Sequence, residues 1–83
     1  MRITYERAVD AAYIYLVPTI APGAVKRTYP CDPSEVNGEI NLDFDAAGHL
    51  IGIEVLGASR KLSMDLLNEA ELSSSSVEAL KRG

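Results

Sequence analysis

The chain has 83 residues, with 8 basic and 12 acidic side chains and a formal net charge of −4 at neutral pH. That length makes one domain, and an acidic balance whose basic residues fall in isolated pairs excludes the clustered Lys and Arg of a sequence-independent grip on nucleic acid. One cysteine and one histidine exclude a disulfide framework and a His/Cys metal staple, and they suit a reducing, intracellular setting.

A domain this small is marginally stable without a staple, and oligomerisation is the remaining common remedy. The N-terminal MRITYERAVD has no apolar run after Arg2, so it does not read as a signal peptide. No apolar run reaches the roughly 18 residues of a membrane span. A soluble, cytoplasmic protein with no membrane and no nucleic acid among its partners is expected.

Residues 2–5 are short and β-prone, the pattern of a first or edge strand. Glu6 to Asp10 reads as a turn or one loose helical turn. Ala11 to Val17 is a second strand, with Ala12, Ile14 and Leu16 on one face and Tyr13, Tyr15 and Val17 on the other. Pro18 and the Pro22-Gly23 pair stop it and make a loop. Ala24 to Tyr29 reads as a third strand ended by Pro30. Cys31 to Gly38 reads as a polar loop closed by Asn37-Gly38, which tolerates positive φ.

Residues 40–56, INLDFDAAGHLIGIEVL, form the most strongly patterned stretch. Ile40, Leu42 and Phe44 alternate with Asn41, Asp43 and Asp45, as in a half-buried strand. Asp45-Ala46-Ala47-Gly48 is a turn, and a returning strand follows. Its Ile51, Ile53 and Val55 point one way and Leu50, Gly52, Glu54 and Leu56 the other. Gly52 in mid-strand predicts a bulge or a close neighbour packed over it. After Gly57 the period becomes helical: Leu62, Leu66, Leu67 and Ala70 share one face, with Ser59 or Ser63 as the cap.

The expected fold class is α+β, an antiparallel β-meander of about five strands with one C-terminal helix. The domain spans residues 1–72, and 73–83 form a flexible or weakly helical tail with Ser75 and Glu78 at capping-box spacing. One helix leaves the second sheet face uncovered. Tyr13, Tyr15, Val17, Leu50 and Leu56 fall there by parity and are candidate interface residues for a two-fold homodimer.

Two blocks carry a resemblance. Tyr5, Asp10, Ala11, Tyr13, Ile14 and Leu16 form the first. Asn41, Asp43, Asp45, Gly48, then Gly52-Ile53-Glu54, Leu56 and Ala58-Ser59 form the second. Together they resemble a family of small prokaryotic proteins classed as a domain of unknown function, whose pattern is close to YDxxxDALYIxL and then VNxDxDxxGxxVGIEIxxAS. The resemblance covers roughly residues 1–60. It departs at Glu6, where Asp is usual, at Ala12, where Leu is usual, and at Tyr15, where a basic residue is common. It implies a compact, mostly β domain and no assigned activity.

Asp43, Asp45 and Glu54 are the candidate metal ligands. Asp43, Asp45, Gly48 and Glu54 have EF-hand spacing, but the fifth ligand place is Ala47, which has no side-chain oxygen, and the flanks read as strands. The plainer reading is the wet face of a hairpin, with Asp43 and Glu54 across from each other. Asp10 reads as a cap for the turn before the second strand, bonding nearby backbone N–H groups. Cys31 and His49 have no companions that would make a site. No cofactor is implied. The leading expectation is a non-enzymatic homo-oligomeric interaction module whose partners are itself and a basic protein. The alternative is a small metal- or ligand-binding enzyme using the Asp43/Asp45/Glu54 face.

Overall fold

Alternation in the chain becomes a five-stranded, wholly antiparallel sheet. The computed structural model describes residues 1–70. The expected boundary after Leu72, the tail at 73–83 and the Ser75/Glu78 capping box lie outside the described residues. The strands are β1 (Arg2–Glu6), β2 (Ala11–Tyr15), β3 (Arg27–Pro30), β4 (Glu39–Phe44) and β5 (Leu50–Leu56). A short helix α1 (Pro33–Val36) precedes β4, and α2 occupies residues 64–70.

Strand order is β1-β2-β5-β4-β3. The sheet is therefore two hairpin systems joined at β5. The chain leaves β2, crosses to the far edge, and returns strand by strand until β5 closes against β2. This order departs from a simple meander at the β2–β3 connection. β5 is central and reads as an apolar strand, with Ile51, Gly52 and Val55 buried.

Several element boundaries differ from the sequence reading. β2 ends at Tyr15; Leu16 adds one bond, from its N–H to the Ile51 carbonyl (3.0 Å), and Val17 lies beyond the strand. β3 begins at Arg27 because Ala21-Pro22-Gly23-Ala24 is a closed turn, with Ala24 N–H donating to Ala21 O (3.0 Å) and Gly23 at φ +81°. Proline followed by a positive-φ glycine suits such a turn. β3 then extends through Pro30, which is tolerated because β3 is an edge strand and a proline there leaves no ladder bond unmade. The expected 31–38 loop contains α1. Asp32 caps it by accepting from Ser34 N–H (3.0 Å), Pro33 takes the first helical place, and Asn37 ends it at φ +49°. Acid cap followed by proline is a helix-start signal.

Side chains directly opposite in the register share a face. One face carries Ile3, Tyr5, Ala12, Ile14, Ile40, Leu42, Ile53 and Val55. The helix α2 covers it through Leu67, which packs with Ala12, Val55 and Ala58, and Tyr5, Ile14, Ile40, Ile53 and Leu62 close around them. Ala70 is also buried, and Leu66 is half-buried. Small residues at positions 12, 58 and 70 let the helix approach the sheet closely. The cap of α2 is Ser63, whose Oγ accepts from Leu66 N–H (3.2 Å).

Ser59 has a different role. Asp10 ends the 3₁₀ turn Arg7–Val9 in the left-handed region, φ +52°. Its Oδ1 accepts from Tyr5 Oη (2.6 Å) and from Ser59 N–H (3.0 Å), and its Oδ2 accepts from Ser59 Oγ (2.7 Å). Its carbonyl accepts from Ala58 N–H (3.0 Å). Asp10 was expected to cap its own turn; apart from Tyr5, its side-chain donors lie 49 residues away. It clasps the β1–β2 connection to the chain leaving β5. The Tyr5 hydroxyl, followed by the Ser59 hydroxyl, holds its carboxyl below the usual carboxylate range.

A depressed native pKa stabilises the fold above the unfolded value and stops doing so as pH falls through the native one. The Asp10 contribution is therefore complete above 3.8 and lost in stronger acid. Asp32 and Asp45, held low by Ser34 and by the His49 backbone N–H respectively, act in the same direction. Asp10→Asn is expected to lower the urea midpoint at about pH 7 and to lose less further stability than the wild type on going to about pH 3. Equal acid sensitivity in the two proteins would contradict the clasp.

Candidate interaction face

The face opposite α2 is built from the other parity of the same strands. One register row crosses the whole sheet: Arg2, Tyr15, Gly52, Asp43 and Thr28. The neighbouring row is Thr4, Tyr13, Glu54, Asn41 and Pro30. A third holds Glu6, Ala11, Leu56 and Glu39.

Tyr13 is the bridge between the rows. From β2 its ring passes over Gly52 of β5, and its hydroxyl donates to Asp43 Oδ2 on β4 (2.6 Å). A Cβ on Gly52 would sit 2.0 Å from that hydroxyl and 2.4 Å from Cζ. Only glycine leaves the ring this path, which explains an apolar strand interrupted at its centre. Thr28 Oγ1 on β3 donates to the other oxygen, Asp43 Oδ1 (2.6 Å). Beside this, Asn41 Nδ2 donates to Glu54 Oε1 (2.8 Å). Tyr15 meets Tyr13 edge to face, with ring centroids 4.9 Å apart, and the Arg2 guanidinium lies 3.7 Å over the Tyr15 ring. A guanidinium over an aromatic face is attracted by the ring quadrupole.

A continuous contact chain thus runs from Arg2 on one edge strand to Thr28 on the other. Burial, followed by the Asp43 hydrogen bond, pushes the Tyr13 phenol well above the ordinary tyrosine range. It stays protonated at neutral pH and serves as a donor, not as a base or nucleophile. Tyr13, Asn41, Asp43 and Glu54 are all half-buried.

The metal candidates do not converge. Asp43 is occupied by two hydroxyls, and Glu54 by the Asn41 amide. Glu54 stands opposite Asn41, and Asp43 opposite Gly52, so the two acids are diagonal on the face and not directly across. Asp45 lies in the hairpin turn, where its Oδ1 accepts from Ala47 N–H (3.0 Å) and His49 N–H (2.9 Å). Its Oδ2 lies 3.4 Å from His49 Nδ1, an ion pair when that ring is protonated. Among the described residues no group of three or more His, Cys, Asp or Glu is placed to hold a metal ion.

The interface candidates divide. Tyr13, Tyr15 and Leu56 share the face opposite α2, as their parity requires. Val17 lies outside β2, so strand parity does not place it. Leu50 is displaced: the register shifts between Asp43 and Phe44, and Leu50 falls opposite Phe44 while Gly52 stays opposite Asp43. This bulge breaks the alternation and puts Leu50 on the side of Phe44. Both readings of Gly52, a nearby bulge and a neighbour packed over it, are met. The face is also less apolar than expected, since its tyrosines are interleaved with Thr4, Asn41, Asp43 and Glu54. The sequence reading missed the Tyr13–Asp43 pair; the one signal for it was a glycine on the intervening strand.

A family model described as "Protein of unknown function (DUF2283)" matches residues 2–59. The chain belongs to this family. No curated protein and no solved structure matches it. The DUF2283 span contains the Asp10 clasp and the Tyr13–Gly52–Asp43 crossing, and it stops before Ser63 and α2.

Overpacking a well-filled site typically costs about 1–3 kcal/mol, so Gly52→Ala is expected to destabilise by that order. Tyr13→Phe, which keeps the ring, is expected to cost about 1 kcal/mol through the lost hydrogen bond. The Gly52→Ala penalty should shrink sharply in a Tyr13→Ala background, where the obstructing ring is gone. Urea titrations of the four proteins and the double variant measure this, and full additivity would refute the crossing.

Proposed function

We propose that this DUF2283 chain is a non-enzymatic interaction module that binds a basic protein partner on the sheet face opposite α2. The observation that carries this reading is the charge of that face: among its strand residues Glu6, Glu39, Asp43 and Glu54 outnumber the single base Arg2, with Arg60 at its edge beside Glu39. Tyr13 and Tyr15 stand among them as ordered aromatics with polar tips, the residue type favoured at interface centres. The acids would steer a cationic surface and the tyrosines would pack against it.

Self-association belongs to a different surface. Two copies apposed through the acidic face would bring like charges together. At the β3 end of the other face, Tyr29 is 51% and Leu50 36% exposed, and Arg27 sits over the rings of Phe44 and Tyr29 at 5.1 and 5.9 Å. This apolar patch at a sheet edge is where a second copy would add. A domain of this size gains stability that way.

Where a neighbouring gene encodes a basic protein, coexpression with it is expected to yield a stoichiometric complex. Reversing the exposed Glu6 and Glu39 to Lys should weaken it by about tenfold or more, and added salt should weaken the wild type. A complex indifferent to both changes would sink the charge argument. Light scattering of the isolated chain at micromolar concentration should give a dimer that Tyr29→Lys converts to monomer. A wild-type monomer would remove the self-association reading and leave the partner reading standing.

A further inference from the structure

A cleft of about 360 Å³ opens where β3, β4 and β5 end beside α1. Pro30, Pro33 and Leu56 supply apolar walls, and among the described residues its two charged lining residues are Glu39 and Arg60. They are of opposite sign. Neither side chain is engaged by a hydrogen bond or ion pair among the described residues, although Asp10 feels the Arg60 charge.

The walls are held by contacts independent of any occupant. Gly57 is left-handed, φ +65°, and lacks the Cβ that would lie 2.6 Å from an Arg60 guanidinium nitrogen. The guanidinium therefore lies against the backbone at the mouth. Lys61 lies against Gly38, its Nζ donating to the Val36 carbonyl (2.6 Å) and to that of Asn37. It ties the end of α1 to the chain after β5 and satisfies carbonyls that the helix end leaves open. The Asn41 amide is fixed by Glu54 (2.8 Å).

A simple anion in this cleft would pair with Arg60 but face Glu39. A simple cation would meet the reverse. A small zwitterion answers both, and the apolar walls favour one with a hydrocarbon side chain. We infer that the cleft binds a free α-amino acid with an apolar side chain. Its carboxylate pairs with Arg60, its ammonium with Glu39, and its side chain lies along Leu56 and Pro30. Guanidinium–carboxylate pairing can be bidentate, which would fix the orientation. This inference does not rest on the oligomeric state or on the identity of a protein partner, but Glu39, Asn41 and Leu56 also belong to the docking face, so an amino acid and a protein partner would compete for that edge of the sheet.

The test is a nitrogen-15 NMR titration of the full chain with L-leucine to about 10 mM, enough to saturate a site with a sub-millimolar dissociation constant. Saturable shifts are expected at the amides of Gly38, Glu39, Leu56 and Gly57. Cys31 also lines the cleft and is the chain's single cysteine, so its reaction with a thiol reagent should slow when leucine is bound. N-acetyl-L-leucine and L-leucinamide, each lacking one charge, should bind about tenfold more weakly or worse. Glu39→Gln should bind L-leucine as weakly as the wild type binds N-acetyl-L-leucine, and Arg60→Met should mirror L-leucinamide. Glu39→Gln and the two one-charge ligands decide the matter if Arg60→Met does not fold. Absence of saturable shifts, or equal binding of all three ligands, would overturn the proposal.

Discussion

The Asp10 clasp is the constraint on which the rest of the molecule depends. A sheet with β5 at its centre needs the β1–β2 hairpin, formed first along the chain, to find the last strand. The contact that registers them at their end is one aspartate whose carboxylate and carbonyl take donors from Tyr5, Ala58 and Ser59. Its left-handed backbone, unusual for a residue with a side chain, is held by these bonds and by its own N–H to Arg7 O. By fixing residues 58 and 59, the clasp sets the direction in which the chain leaves β5. That direction lays Leu62 and Leu67 over Ala12 and Val55. A hydrogen-bond cluster at the rim thus aims the helix that covers the core.

The two faces of the sheet are held by different physics. Under α2 the packing is aliphatic, and burial of apolar surface is the stabilising term. On the other side the strands are tied by side-chain hydrogen bonds and aromatic contacts running from Arg2 to Thr28. Tyr13 crosses a glycine to reach Asp43, so one phenol connects β2 to β4 over the central strand. These groups are ordered whether or not anything docks on them. A preordered face has little side-chain entropy left to lose in any contact made on it.

The family match spans all five strands of the sheet. It takes in the clasp and the crossing, both within residues 2–59. The helix begins after it. A sheet whose matched region ends before the element that covers its core has its cover supplied by a separate segment, here α2. The acids at 43, 45 and 54, which share the spacing of a calcium loop, do three separate jobs. They accept from two hydroxyls, shape a turn, and hold an asparagine.

Sequence alone determined the α+β class, the alternating strand pair at 40–56, the Asp45–Gly48 turn and the apolar stripe of α2. Each is a local periodicity or a local turn preference, written in residues that are neighbours along the chain. The odd glycine at 52 was visible in the same way, as a break in a pattern. Only the tertiary structure decided that β5 lies between β2 and β4, and that Asp10 answers Ser59. It alone showed that Tyr13 occupies the space above Gly52, that Asp43 and Glu54 are diagonal, and that a bulge carries Leu50 away from the tyrosines. These depend on which distant strands pair and in which register. One residue of register shift moves a side chain to the other face, and pairing is set by the packing of the whole sheet, which no short window of sequence contains.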